Sequence, residues 1–155
     1  MIIATAGHVD HGKTSLIRAL TGVETDTLAE EVERGLSINL GYAFMSQESD
    51  ETLGFIDVPG HRKFINTMIS GISGVDMGLL VVAADDGPMP QTLEHIDVLE
   101  ILGVARVCVV VNKVDRVDPS RVHEVLQQVD ALIQPRRWPA HRSFGVSSVS
   151  GDGLD

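Results

Sequence analysis

Short apolar runs alternating with helix-period segments predict an α/β fold, a mainly parallel six-stranded sheet with helices on both faces. Two runs carry most of that prediction. Gly78–Ala84 and Arg106–Asn112 lack the polar alternation of a half-exposed strand, so both read as strands buried on two sides. Between them, Leu93, Ile96, Leu99 and Leu102 fall on one side of a helix from about Gln91 to Leu102.

The other elements follow in chain order. Ile2–Ala6 reads as the first strand and Thr14–Leu20 as a short helix after a glycine turn. Leu40–Met45 and Leu53–Val58 flank the polar loop Gln47–Thr52, which pairs them as a hairpin. Phe64, Ile65, Met68, Ile69 and Ile72 share one helical face. Asp118-Pro119 supplies an N-cap and a first-turn proline for a helix that turns Val122, Val125, Leu126, Val129, Leu132 and Ile133 inward. A loop with Pro135, Trp138 and Pro139 leads to a last strand near Ser143–Ser147. Gly151–Asp155 reads as the entry to a further helix covering one flank of the sheet. Residues 1–155 are therefore expected to be one domain, the N-terminal fragment of a longer multidomain factor, with its C-terminal helix truncated.

Composition narrows the function classes. A formal net charge of −10 argues against nonspecific binding along nucleic acid, where many phosphates must be neutralised. The adjacent basic pairs, Arg62-Lys63 and Arg136-Arg137, read as solvated. No apolar run approaches the roughly 20 residues that a membrane-spanning helix needs. Met1–Thr5 lead straight into a motif, leaving no room for a signal peptide, and the one cysteine, Cys108, reads as a buried small hydrophobe. A cytoplasmic protein is expected.

The strongest motif is Gly7-His8-Val9-Asp10-His11-Gly12-Lys13-Thr14, which fits the phosphate-loop pattern of Gly, four residues, then Gly-Lys-Thr, between a strand and a helix. Gly12 permits close backbone approach, and successive N–H groups from Asp10, His11 and Gly12 onward point at anionic oxygens. Lys13 brings a positive charge to the β- and γ-phosphates, Thr14 a hydroxyl to Mg²⁺, and Ser15 a contact to the α-phosphate. Asn112-Lys113-Val114-Asp115, at the carboxyl end of a buried strand, supplies the base specificity. The Asp115 carboxylate can accept hydrogen bonds from N1–H and the 2-amino group of guanine. Adenine lacks those donors and would strand a desolvated charge, at a cost of ~1–3 kcal/mol or more. Ser147-Ser148-Val149 would cap the guanine O6 through its backbone.

Asp57-Val58-Pro59-Gly60-His61 ends a strand. Asp57 is placed to hold Mg²⁺ through water, Gly60 to offer its N–H to a γ-phosphate, and His61 to arrange the attacking water. Glu30–Ile38 fits a loop ordered by γ-phosphate and metal, with Ser37 as the second hydroxyl ligand beside Thr14 and Asp57. Without that context the segment would be a solvated acidic helix, and Arg34 is not read as a transition-state arginine. These features describe a GTPase, expected to be slow alone because no arginine finger is evident. The competing readings are a GTP-binding module without significant hydrolysis and, as an outsider, an ATP-dependent kinase.

Taken in order, these motifs, with Arg34–Ile38 and Gly87-Pro88-Met89-Pro90-Gln91-Thr92, resemble the translational GTPases. Within that group the likeness is greatest to the selenocysteine-specific elongation factors, through Met1–His8, Ser37–Ala43 and Gly54–His61. Other tRNA-carrying factors of the EF-Tu type remain the alternative. The resemblance implies GTP/GDP with Mg²⁺, the ribosome as activator, and His61 flanked by Val9 and Leu36 as an apolar gate. It also implies a monovalent cation near Asp10. Selenocysteinyl-tRNA and an mRNA hairpin would be held only by parts outside these residues. Two departures from the family pattern are Ser37 in place of the usual threonine, and Ser148 in place of the usual alanine.

Overall fold

A computed structural model describes residues 1–34, 37–46, 51–138 and 140–154, without the side chains of Ala29, Val32 and Arg34. Six strands form one sheet: β1 (Ile2–Ala6), β2 (Gly41–Ser46), β3 (Thr52–Asp57), β4 (Met77–Ala83), β5 (Arg106–Asn112) and β6 (Arg142–Gly145). Their order is β2-β3-β1-β4-β5-β6, and only the β2–β3 pair is antiparallel. The hairpin expectation therefore holds, although the tip residues Gln47–Asp50 lie outside the described ones. β1 and β5 have the expected ends and the other strands shift by one to two residues; β6 stops at Gly145, two residues before Ser147.

Among the described residues five α-helices connect the strands: α1 (Lys13–Thr21), α2 (Ala29–Arg34), α3 (Ile65–Ile72), α4 (Pro90–Ile101) and α5 (Pro119–Ile133). Met68 and Ile72 of α3, Ile96 and Leu99 of α4, and Val125, Val129 and Ile133 of α5 pack on one sheet face, against Ala4, Leu80, Val82, Val109 and Val111. Leu16 and Ile17 of α1 pack on the other, against Ile3, Phe55, Leu79, Val81 and Val110. That second face is less fully covered. Phe144 stays 46% exposed, and Cys108 is half-buried, contrary to the expectation of a buried cysteine. Burial raises the Cys108 thiol pKa, against the opposing charge of Arg142, so the thiolate is disfavoured.

Local differences from the sequence reading have physical causes. Leu93 and Leu102 face outward, as does Ile69 of α3. The first turns of α4 instead bury Gln91, Thr92 and His95, because this end of the helix meets polar backbone rather than the apolar sheet. Asp118 sits at the N-cap of α5, yet its side chain makes no capping bond. Arg136 is not simply solvated: it bridges to Asp97 at 2.6 Å and Glu100 at 2.8 Å, tying the chain after α5 to α4. Trp138 is buried, and its indole N–H donates to the Val104 carbonyl at 2.8 Å. Pro139 lies outside the described residues.

Candidate functional site

The turn between β1 and α1 is shaped by two left-handed residues, Asp10 at φ 63° and Gly12 at φ 87°. Gly12 is required there on two counts: its φ suits glycine, and a Cβ would strike the Asn112 side-chain amide. Lys13 is buried, and its ammonium donates to the carbonyls of Gly7 (3.2 Å) and His8 (2.9 Å), lying back across the loop. Burial pushes its pKa down to about 8, with the Asp57 charge the strongest force in the other direction. Gly60 faces the same ammonium; a Cβ there would also meet the Val9 nitrogen at 2.8 Å.

Helix α4 anchors this loop from outside. The Gly7 N–H donates to His95 Nδ1 at 2.8 Å and the Val9 N–H to Gln91 Oε1 at 3.1 Å. Burial, with Lys13 nearby, lowers the His95 pKa to about 3, so the ring stays neutral and can accept. His11 is fully buried, and burial with the neighbouring His8 and Lys13 also lowers it to about 3. Its Nε2 lies 3.7 Å from an Asp86 oxygen, too far for a hydrogen bond, and a neutral ring makes no ion pair. Neither ring nitrogen has a hydrogen-bond partner among the described residues. His11 thus packs beneath the loop, its ring centroid 5.1 Å from that of His8.

A cluster of hydroxyls and carboxylates closes the other side. Asp57 is buried and accepts from Thr5 (3.0 Å), Thr14 (2.6 Å) and Thr25 (2.8 Å). Thr14 Oγ1 and Ser37 Oγ are 3.0 Å apart, and Ser37 donates to Asp26 at 2.6 Å. The three expected metal ligands, Thr14, Ser37 and Asp57, are therefore brought together. Thr5, Thr25 and Asp26 were not expected; Thr25 and Asp26 follow α1 with no motif to flag them. Burial raises the Asp26 pKa, partly offset by the Ser37 hydrogen bond.

Among its described residues the expected loop Glu30–Ile38 overlaps the short helix α2, so it is not a simple loop, and it is not a solvated acidic helix, given the 3% exposure of Glu31. Its two oxygens accept four backbone N–H groups, from Thr27 and Leu28 on one side and Ile38 and Asn39 on the other, at 2.9–3.0 Å. Burial acts to raise its pKa, but those N–H groups outweigh burial and leave it lowered. Leu36, the expected gate partner of Val9, lies outside the described residues, as does the Arg34 side chain.

At the base end, Asn112 is buried and spans two loops. Its Nδ2 donates to the carbonyls of His11 (3.3 Å) and Gly12 (3.4 Å), while Oδ1 accepts from the Ser148 N–H (3.1 Å) and hydroxyl (3.0 Å). Ser147 donates its hydroxyl to Asp115 at 2.6 Å and receives the N–H groups of Val149 and Ser150. Lys113 adopts φ 63°, and its ammonium and the Arg116 guanidinium lie 3.9 and 3.5 Å from Asp85. His61 stands apart: its Nδ1 accepts the Lys63 N–H at 3.2 Å, capping the 3₁₀ turn Arg62–Phe64.

Some of these residues line a cleft of about 630 Å³: Val9, Asp10, Gly12, Lys13, Thr14, Ser15, Ser37, Gly60 and Lys113, all anticipated, together with Glu24, Asp26, Glu31 and Arg116, which were not; the anticipated His11, Asp57, His61, Asn112, Asp115, Ser147, Ser148 and Val149 are not in that lining. Acidic side chains outnumber basic ones in that lining, which disfavours a bare polyanion. A hard divalent cation would reverse that balance, and hydroxyl and carboxylate oxygens are the donors Mg²⁺ takes. Among the described residues no group of three or more His, Cys, Asp or Glu is placed to hold a metal ion.

The profile of the elongation factor Tu GTP binding domain matches residues 1–155. The chain belongs to that family of GTP-binding domains. It is 49% identical over its whole length to the selenocysteine-specific elongation factor of Escherichia coli, covering 25% of that protein. The crystal structure of a bacterial selenocysteine-specific elongation factor, EF-Sec, superposes with a TM-score of 0.95 at 41% identity, over 99% of this chain and 26% of the other. SelB from Methanococcus maripaludis, solved with the GTP analogue GppNHp, gives a TM-score of 0.86 at 26% identity, over all of this chain and 31% of that one. The chain spans about a quarter of the length of the curated selenocysteine-specific relatives. The phosphate loop, Thr14, Ser37 and Asp26 of the hydroxyl and carboxylate cluster, and Lys113 border one cleft. No described helix is long and apolar enough to cross a membrane.

Proposed function

We propose that this chain is the GTP-binding and GTP-hydrolysing domain of a selenocysteine-specific elongation factor, residues 1–155 forming the N-terminal part of a longer cytoplasmic protein. The observation that carries this reading is the convergence of Lys13, Thr14 and Gly60 on one cleft, with Asp57 behind Thr14 and Asn112 joining the loop to the Asp115 turn. The likeness to selenocysteine-specific factors favours them over other tRNA-carrying factors. The exposed Phe144 and half-buried Cys108 on one sheet face support the expectation of a further covering segment.

In this reading the amides of Asp10, His11, Gly12, Lys13 and Thr14 hold the phosphates, and Lys13 exchanges its two carbonyl contacts for phosphate oxygens. Ser15 contacts the α-phosphate. Thr14, Ser37 and Asp57 hold Mg²⁺, which supplies charge neutralisation for the transferring phosphoryl group. Asp10 stands near a monovalent cation. Asp115 reads the guanine edge, held in place by Ser147. Asn112 braces the two loops, Lys113 flanks the base, and the backbone of Ser147, Ser148 and Val149 closes over O6. Gly60 offers its N–H to the γ-phosphate. His61 orients the attacking water after leaving the Lys63 N–H, a rotation that ribosome engagement drives. That requirement accounts for slow turnover in the isolated chain. Selenocysteinyl-tRNA and the mRNA hairpin are bound by other parts of the factor.

Calorimetry with GTP and ATP tests the base assignment: GTP should bind and ATP should compete at least tenfold more weakly, and equal affinities would overturn it. In the complete factor, His61→Ala should lower ribosome-stimulated hydrolysis at least tenfold while GTP affinity stays within twofold. A parallel loss of binding would remove His61 from the catalytic role.

A further inference from the structure

Glu31 makes the least expected contact in the molecule. An acid on a short helix between charged neighbours is ordinarily solvated, yet this carboxylate is buried, with every hydrogen bond directed to backbone. Its oxygens are divided between two ends of one segment. Oε2 accepts the N–H groups of Thr27 and Leu28, where α2 begins, and Oε1 those of Ile38 and Asn39, where the chain runs toward β2. One side chain therefore bridges positions eleven residues apart, counting from Thr27 to Ile38. Ser37 immediately precedes the second pair, and its hydroxyl sits 3.0 Å from that of Thr14.

We infer that Glu31 is a positioning residue for the triphosphate site: its carboxylate fastens Ile38 and Asn39 to the start of α2 and so holds the Ser37 hydroxyl beside Thr14 before any nucleotide arrives. The inference rests on the reading of Ser37 as a hydroxyl of the triphosphate and metal site. It departs from a segment that gains its order only from γ-phosphate. Preorganised donors and acceptors lower the ordering cost of binding, so Glu31, at the cleft's edge, contributes to affinity through the Ser37 hydroxyl it holds in place. The benefit is confined to GTP with Mg²⁺, because GDP leaves no γ-phosphate for this side of the cleft to meet.

Glu31→Gln keeps the size of the side chain but turns an NH₂ group toward two of the four donors. Amide hydrogen exchange of the full chain without nucleotide reads the fastening directly. Ile38 and Asn39 should be protected in the parent chain and exchange at least tenfold faster in the variant. Calorimetry then reads the consequence: affinity for GTP with Mg²⁺ should fall about tenfold, while GDP affinity and GTP affinity in EDTA stay within twofold. Unprotected Ile38 and Asn39 amides in the parent chain would overturn the inference, and that measurement needs no variant to fold. An equal loss for GDP and GTP would overturn it too, by making Glu31 a general stabiliser. If neither nucleotide binds the parent chain, the proposed function fails, and the exchange result still decides whether Glu31 fastens the segment.

Discussion

The phosphate loop and residues 24–39 border the same cleft but are held by opposite strategies. The loop is anchored from outside, by Gln91 and His95 of α4, a helix some eighty residues away in sequence. Residues 24–39 are anchored from within, by one of their own carboxylates. An outside anchor ties the loop to the packing of α4 on the sheet, so loosening it requires the core to open. The internal anchor ties Thr27 and Leu28 to Ile38 and Asn39, and among the described residues only side-chain hydroxyls, Thr25 on Asp57 and Ser37 beside Thr14, join this segment to the rest of the site. The contrast teaches how one cleft can be bordered on one side by a loop tied to a packed helix and on the other by residues tied mainly to each other.

The contrast can be broken most forcefully at Lys13. Lys13→Ala removes the ammonium that bonds the loop carbonyls and that the proposed function assigns to the phosphates, and hydrogen bonds to charged groups are worth about 1.5–3 kcal/mol each. GTP and GDP affinity should both fall at least a hundredfold by titration; a loss limited to GTP would place the ammonium at the γ-phosphate alone.

Acid tests the rigid side specifically. His11 and His95 are held neutral with pKa values near 3, below the ordinary value of 6.5, so the unfolded chain binds their protons first. Their contribution is complete above about pH 6.5 and is lost as pH falls toward 3, at up to about 1.4 kcal/mol per pH unit for each group. Thermal unfolding between pH 7 and pH 5 should show a falling Tm. A flat Tm over that interval would mean the imidazoles are solvated and the anchor is looser than drawn.

The smallest effect is expected at Gln91→Leu, which leaves the Val9 N–H without its acceptor at a cost of about 1–2 kcal/mol. Affinity for GTP and GDP should weaken together, five- to thirtyfold by calorimetry. Selective loss of GTP would erase the distinction from Glu31, because the two anchors would then act on the same phosphate.

The fold was legible where apolar pattern and burial coincide. β4 and β5 followed from unbroken hydrophobic runs and α5 from its spacing, because both faces of a strand or one face of a helix must leave water. It was not legible in α4, whose exposed Leu93 and buried Gln91, Thr92 and His95 reverse the usual preference. Gln91 and His95 are buried because backbone N–H groups of a distant loop supply their partners, and Thr92 because it accepts the Met89 N–H at the helix's own start. The same limit concealed Thr25, Asp26 and Glu31, which carry no spacing signal, whereas the phosphate loop and the Asn112–Asp115 turn stand out as contiguous motifs.

Contiguous residues, read alone, determined the chemical parts: a glycine turn opening a helix, an ammonium and hydroxyl at its start, a carboxylate at the end of a buried strand. Those parts act through backbone conformation and residue type over a few positions, which a linear chain states directly. Only the tertiary structure decided how they are held. The partners that satisfy a buried N–H or a buried carboxylate come from wherever the chain returns, and no local pattern records which amides Glu31 collects or that His95 reaches Gly7.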